Sequence, residues 1–206
     1  MARRPDLLEE IAKGNPNAVV LPGDVTEPAS VEACFSRFHE KNGRLDVLFN
    51  NAGIFTPGGT IDEIALDDWF ASVNVNLHGM FLCARAAFSA MRKQKPQGGR
   101  IINNGSIAAY VPRPNSAPYA ATKSAITGLT RSISLDGRDF DIACGQIDIG
   151  NARTPMVEEL AKTSPQATMD VQDAARSVLH MAKLPPEANV QLMTVMATKM
   201  PYIGRG

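Results

Sequence analysis

Apolar positions along this chain alternate between a three-to-four spacing and short unbroken runs, so helical and extended segments are expected to follow one another. Leu7, Leu8 and Ile11 share one helical face after Pro5, and Lys13-Gly14 closes that first helix. Asn17 to Leu21 reads as a strand punctuated by Pro22-Gly23-Asp24. Thr26 is placed to cap a second helix striped by Val31, Phe35 and Phe38, which ends near Asn42-Gly43. Leu45 to Phe49 reads as the next strand. A long helix capped by Asp67 and running to Arg92 follows, with Phe70, Val73, Leu77, Met80, Phe81 and Ala84 as its stripe; Pro96-Gln97-Gly98-Gly99 ends the segment. The remaining elements are a strand from Arg100 to Asn103, a small-residue helix from Tyr119 to Leu135 and a strand from Ile142 to Ile149. A helix from Val171 to Met181 and a strand from Val190 to Met196 complete the series.

This alternation predicts an α/β fold, a Rossmann-like, doubly wound and mostly parallel sheet with helices on both faces. The 206 residues read as a single domain, 1–206. Asn151 to Thr168 is the least regular stretch, and Pro155 and Pro165 with their polar neighbours suit a mobile flap over a site.

Charge narrows the partners: Lys+Arg and Asp+Glu balance at 21 each, which argues against nucleic acid or an anionic membrane. Cys34, Cys83 and Cys144 are widely spaced and read as free buried thiols. His39, His78 and His180 are equally scattered, so no metal site is expected. Asp6, Glu9 and Glu10 interrupt the stretch where a signal peptide needs apolar residues, and the expected location is cytoplasmic.

Tyr119 and Lys123 stand four residues apart, on one face of the same expected helix. A free phenol titrates near ~10, and acid/base work near neutral pH needs it lowered by ~2 to 3 units, part of which a neighbouring ammonium supplies. The same spacing is common on ordinary helix surfaces. Ser106 follows a strand and precedes Tyr119 by thirteen residues. In open α/β sheets ligands lie beyond the carboxyl ends of the strands, where Ser106, Asn50 to Gly53 and Gly150 are all expected.

Asn50-Asn51-Ala52-Gly53, Asn76 in Val-Asn-Leu-His-Gly, Ser106, and Tyr119 with Lys123 together resemble the short-chain dehydrogenase/reductase family in order and spacing. The resemblance implies that Tyr119 is the general acid/base and that Lys123 lowers its pKa and binds the nicotinamide ribose. Ser106 then orients the substrate oxygen, and Asn76 holds a proton-relay water near Lys123. Asn51, Ala52 and Gly53 are expected along the adenosine side of the cofactor. Asp24, followed by Val25, matches the acid that meets the adenine ring, although Asp is also a common turn residue. Gly150 and Thr154 are expected at the nicotinamide and phosphates, with Ile149 where the family has proline, so that loop is less restricted. Arg3 and Arg4 fall where the family sets a guanidinium against the ribose 2′-phosphate, favouring NADP(H) over NAD(H).

The resemblance also implies a departure. The family opens with a strand, a Gly-x-x-x-Gly-x-Gly turn and a helix that hold the pyrophosphate. Only Gly14, Gly23 and Gly43 precede residue 50 here, and none has that spacing. Residue 1 is thus expected to match the end of the family's second strand, from a gene product whose start was set too late, and the chain from Met1 is expected to transfer no hydride. The implied activity is interconversion of a small-molecule carbonyl and a secondary alcohol. A homodimer or homotetramer is expected, paired through the helices Asp67 to Arg92 and Tyr119 to Leu135. Two other readings stay open: a catalytically silent interaction or oligomerisation subunit, and a lyase or epimerase on the same scaffold.

Overall fold

The computed structural model describes residues 1–161 and 166–203, the side chain of Leu160 excepted. Proline opens the first two helices, α1 (Pro5–Ala12) and α2 (Pro28–Asn42), where its missing N–H leaves no bond unmade. Thr26 does not cap α2. Its backbone N and its Oγ1 both donate to Asp24 Oδ1, at 2.9 and 2.8 Å, so it closes the preceding turn and Glu27 takes the capping position. Gly43 ends α2 in the left-handed region, at φ 70°, its N–H donating to the His39 carbonyl. The strand expected at Asn17 to Leu21 does not form. A single parallel bridge joins Ala2 to Pro22, and one bridge does not build a ladder.

Four parallel strands lie in chain order: β1 (Val47–Asn50), β2 (Gly99–Asn104), β3 (Ile142–Gly150) and β4 (Leu192–Met196). β1 starts later than Leu45 because the Gln94 side chain occupies the backbone there, accepting from Leu45 N and donating to Leu45 O at 2.9 Å each. The outer edge of β1 has no strand beside it among the described residues. That one-directional order is one half of a doubly wound arrangement.

Adjacent residues of β2 fix the layers. Ile101 packs with Ala87 and Met91 of α4 (Met80–Lys93), whereas Ile102 packs with Met181 of α7 (Val171–Ala182). Because neighbouring strand residues point to opposite faces, α4 and α7 cover opposite sides of the sheet. Asn103 shares the side of Ile101 and donates to Thr130 at 2.9 Å, which places α5 (Ala117–Asp136) beside α4. Burying a side chain such as Met91 or Ile101, both fully enclosed, stabilises the fold by roughly 1.5 to 3 kcal/mol each.

The long helix expected from Asp67 is interrupted. α3 (Leu66–Val73) runs through a π-helical turn, Asn74–Gly79, into α4. Asp67 lies inside the first turn, near the positive helix end, and Ala65 holds the capping position. Gly79 is required in the π turn, because a Cβ there would lie 2.7 Å from Val25 Cγ2. The stretch expected to be least regular contains α6 (Pro155–Ala161) and a bridge from Ala152 to Met169. Residues 162–165 of the expected flap lie outside the described residues.

Candidate functional site

The carboxyl end of β2 delivers Ser106, and the first turns of α5 deliver Tyr119 and Lys123, so three of the expected residues converge. Lys123 is 2% exposed and its ammonium donates to the Asn104 carbonyl at 2.7 Å. The same nitrogen lies 5.6 Å from the centre of the Tyr119 ring. Ser106, itself buried, accepts from Ala108 N at 3.2 Å and lines one cavity with Tyr119. The Phe55 ring leans on Tyr119 with centroids 5.1 Å apart.

Asn76 lies in the π turn and is completely buried. Its Oδ1 accepts from Ile54 N at 2.7 Å and its Nδ2 donates to Ile54 O at 3.0 Å, so it locks the loop after β1 against the helix. Gly53 fills the space between: a Cβ there would come within 3.5 Å of Asn76 Oδ1 and 3.9 Å of Lys123 Nζ. π-helical insertions often sit at functional positions because the extra residue re-aims a side chain, and here that side chain is Asn76.

Burial sets the electrostatics. It pushes the Tyr119 phenol above its ordinary value, with the Ser106 hydrogen bond and the Arg113 charge pulling back. The site without cofactor therefore holds a protonated tyrosine, and the cation that pulls it downward is Arg113 rather than Lys123. Burial lowers Lys123 to about 8, while the Asp148 carboxylate pulls it up. Asp148 is fully buried on β3 and is pushed up by burial. Hydrogen bonds from Gln146 and Ser106 N, the Lys123 charge and the Tyr110 hydroxyl oppose that shift.

The other expected residues fall in two places. Arg3, Arg4, Asp24, Val25, Asn51, Ala52 and Gly53 line one groove of about 910 Å³ beside β1, which also exposes Phe35, Phe38 and Leu48. Asp24 is committed to its turn through Thr26, whose hydrogen bonds hold the carboxyl below its usual range, with Arg3 adding to the pull. Val25 packs on the π turn. Asn51 Oδ1 accepts from Asn104 Nδ2 at 2.7 Å. Gly150 lies beside Ser106 and Tyr119, and a Cβ there would sit 2.8 Å from Met196 Cβ, so only glycine fits. Thr154 stands apart from both clusters, its Oγ1 accepting from Val157 N at the start of α6.

Three side chains were not legible as site residues. Asn104 Oδ1 and Asp148 Oδ2 are buried acceptors without hydrogen-bond partners, and Arg113 is a guanidinium beside Tyr119. The signal for Asp148 was a charge inside an apolar strand, Cys144 to Gly150. Arg113, framed by Pro112 and Pro114, carried no such signal.

The arrangement suits proton transfer at a carbonyl or hydroxyl oxygen. Tyr119 and Ser106 present two hydroxyls to one cavity, and a buried cation stands one helical turn behind. The groove and the free donors of Lys123 fit a nicotinamide cofactor: an ammonium has three N–H donors, of which Asn104 O takes one.

A family model described as short chain dehydrogenase matches residues 1–165. The chain is 38% identical over 135 residues to a 3beta-hydroxysteroid dehydrogenase of Mediterraneibacter gnavus, covering 66% of this chain and 48% of the relative. It is 33% identical over 181 residues to oxidoreductase UcpA of Escherichia coli, covering 87% of this chain and 66% of that protein. The chain thus spans about half to two thirds of the length of these curated relatives. Among solved structures, the closed form of a serine dehydrogenase complexed with NADP+ has a TM-score of 0.90 at 22% identity, over 100% of this chain and 86% of the other. A 3-ketoacyl-(acyl-carrier-protein) reductase from Brucella melitensis complexed with NADH has a TM-score of 0.86 at 22% identity, over 95% and 84%. These likenesses establish the Rossmann-like α/β fold.

Proposed function

The chain belongs to the short chain dehydrogenase family, and from that premise we propose that it serves a nicotinamide-dependent oxidoreductase that interconverts a small carbonyl compound and a secondary alcohol. The observation that carries the reading is the meeting of Ser106, Tyr119 and Lys123, with Gly53 and Asn76 closing the space behind them. The cofactor supplies the hydride acceptor or donor. Tyr119 gives the proton to the substrate oxygen during reduction and takes it during oxidation. Ser106 orients that oxygen by a hydrogen bond, and Lys123 holds positive charge beneath the phenol as the proton moves. Asn76 keeps the β1 loop and the π turn in register, so that backbone groups of Asn51 to Gly53 face the groove.

A buried lysine is costly to the fold, since burial opposes its charge and drives its pKa to about 8. That cost is understandable where the ammonium serves chemistry, and it favours an enzyme over a silent interaction subunit. NADP(H) is the favoured cofactor, because Arg3 and Arg4 border the groove that also holds Asp24 and Asn51 to Gly53. Two-fold pairing through the continuous α3–α4 segment, Asp67 to Arg92, and α5 is supported by exposed Phe70 on α3, Phe81 on α4 and Leu135 on α5, and by Gly128, around which 4 Å of space is open.

The test is hydride transfer by the full gene product with each nicotinamide cofactor. Ser106→Ala is expected to lower turnover by about 30- to 1,000-fold, the loss of one donor to the reacting oxygen, with the cofactor dissociation constant unchanged. Arg3→Ala with Arg4→Ala is expected to remove any preference for NADP over NAD. Unchanged turnover in the serine variant refutes the site. An unchanged preference in the arginine variant refutes the cofactor assignment.

A further inference from the structure

A cavity of about 250 Å³ opens beside Ser106 and Tyr119, and one guanidinium, that of Arg113, is the sole charged side chain among its described lining residues. The walls are otherwise apolar or neutral, with Phe55, Ile107, Val111 and Met200 among the apolar residues. A lone cation in such a setting faces whatever small molecule reaches the two hydroxyls.

Arg113 is held in place from several directions. Its neighbours Pro112 and Pro114 fix their own φ angles, and its carbonyl accepts from Ser116 Oγ at 2.6 Å. Asn115 follows in the left-handed region at φ 59°, its carbonyl accepting from Gly59 N at 3.3 Å. The guanidinium itself is anchored through one nitrogen: Nη2 donates to Asn151 Oδ1 at 2.7 Å and to Gln166 Oε1 at 3.1 Å. Asn151 in turn donates to Gln166 Oε1 at 3.0 Å and to Ala167 O at 3.1 Å. Among the described residues no hydrogen bond engages Nη1 or Nε. A guanidinium has five N–H donors and no acceptor, so the neutral frame occupies one nitrogen and leaves three donors for a ligand. Asn151 and Gln166 come from the stretch expected to shape the pocket, and they act by setting the arginine.

We propose that the substrate carries a carboxylate, which Arg113 binds while the substrate's carbonyl or hydroxyl oxygen meets Ser106 and Tyr119. The inference rests on the oxidoreductase reading above and narrows it to small hydroxy acids and keto acids. A single cation balances one negative charge, which a carboxylate carries and a phosphate monoester exceeds at neutral pH. Arg113 and Tyr119 line the same cavity of about 250 Å³, small enough for one compact molecule to span them. In the oxidation, the C–H bond of the carbinol carbon breaks and its hydride goes to the nicotinamide cofactor. The O–H bond breaks as its proton goes to Tyr119 in its phenolate form, which regains the phenol, and the C=O bond of the keto acid forms. The carboxylate takes no part in bond changes.

The experiment titrates α-, β- and γ-hydroxy carboxylates, each beside its methyl ester, into the full gene product with saturating cofactor, and reads binding by calorimetry and turnover separately. The acids are expected to bind about tenfold to a hundredfold more tightly than their esters, the worth of a charge-assisted hydrogen bond to a desolvated anion. Arg113→Gln is expected to erase that preference and Arg113→Lys to restore part of it; should the glutamine variant melt early, the lysine variant and the acid-to-ester ratio in the wild type carry the test. Esters binding as well as acids, neither class binding, or a preference that survives Arg113→Gln overturns the anchor. Turnover of neutral secondary alcohols at the rate of the acids keeps the oxidoreductase reading and overturns the anchor. Acid-selective binding with no hydride transfer keeps the anchor and overturns that reading.

Discussion

Tyr119→Phe is expected to lower turnover at least ~1,000-fold and to leave the cofactor dissociation constant within a factor of ~2, because the substitution removes only the proton-carrying oxygen. The phenylalanine ring keeps the contact with Phe55, whose centroid lies 5.1 Å from that of Tyr119. Direction matters as well. Burial pushes the phenol up, so at neutral pH Tyr119 is protonated and ready to donate, which suits carbonyl reduction. Alcohol oxidation needs the phenolate, and its rate is expected to rise with pH until the phenol is titrated. Rate profiles in the two directions check this, and substantial activity in the phenylalanine variant would return Tyr119 to an ordinary buried aromatic residue.

Lys123→Met should cost both chemistry and cofactor binding, since the ammonium stands 5.6 Å from the Tyr119 ring and also has donors to offer a ribose. A loss of at least ~100-fold in kcat/KM is expected, the scale of one charged group acting in the transition state. The same variant has a signature in stability. Lys123 is lowered from 10.5 to about 8 in the folded chain, so between those values the unfolded chain binds more protons than the folded one. The three buried thiols, which burial pushes above 9.0, act in the opposite sense in both proteins, so the signature is the difference: wild-type stability minus that of Lys123→Met is expected to rise with pH across the lysine window. Asp148, raised from 3.8, works in the opposite sense: the folded chain retains its proton longer, so stability falls as pH climbs above 3.8. Urea unfolding across pH in the two proteins separates these limbs. A wild-type-minus-variant difference that does not rise between about pH 8 and pH 10.5 would mean that Lys123 is better solvated than its burial indicates.

The long periodic elements were legible because local pattern and packing agree in them. α5, β3 and α7 lie within about two residues of their expected bounds, their apolar faces being the ones that meet the sheet. The strand at Asn17 to Leu21 was misjudged for a physical reason, since an extended run becomes a strand only where a neighbour pairs with it, and the one bridge nearby joins Ala2 to Pro22, just past the run. The π turn was hidden because an inserted residue leaves the apolar stripe nearly continuous. Gln94 blocked the start of β1 from forty-nine residues away, which no local pattern reveals.

The site divided in the same way. Ser106, Tyr119 and Lys123 were legible from spacing, because one strand end and one helix face bring them together whatever the side chains between them. Arg113 was not, since its role depends on Asn151 and Gln166, 38 and 53 residues along the chain. Asp148, marked in the sequence only as a charge in its strand, and Asn104 stand out in the structure through one buried oxygen each, Oδ2 and Oδ1, without a hydrogen-bond partner.

Deuterium transfer from a carbinol-deuterated secondary alcohol to the nicotinamide ring, in the full gene product and in its Tyr119→Phe variant, tests the central claim most directly. The expected result is stereospecific labelling of the reduced cofactor by the wild type and near absence of label in the variant. Equal labelling in the two proteins, or none in the wild type with cofactor demonstrably bound, would contradict the assignment of Ser106, Tyr119 and Lys123 as the site of hydride-coupled proton transfer.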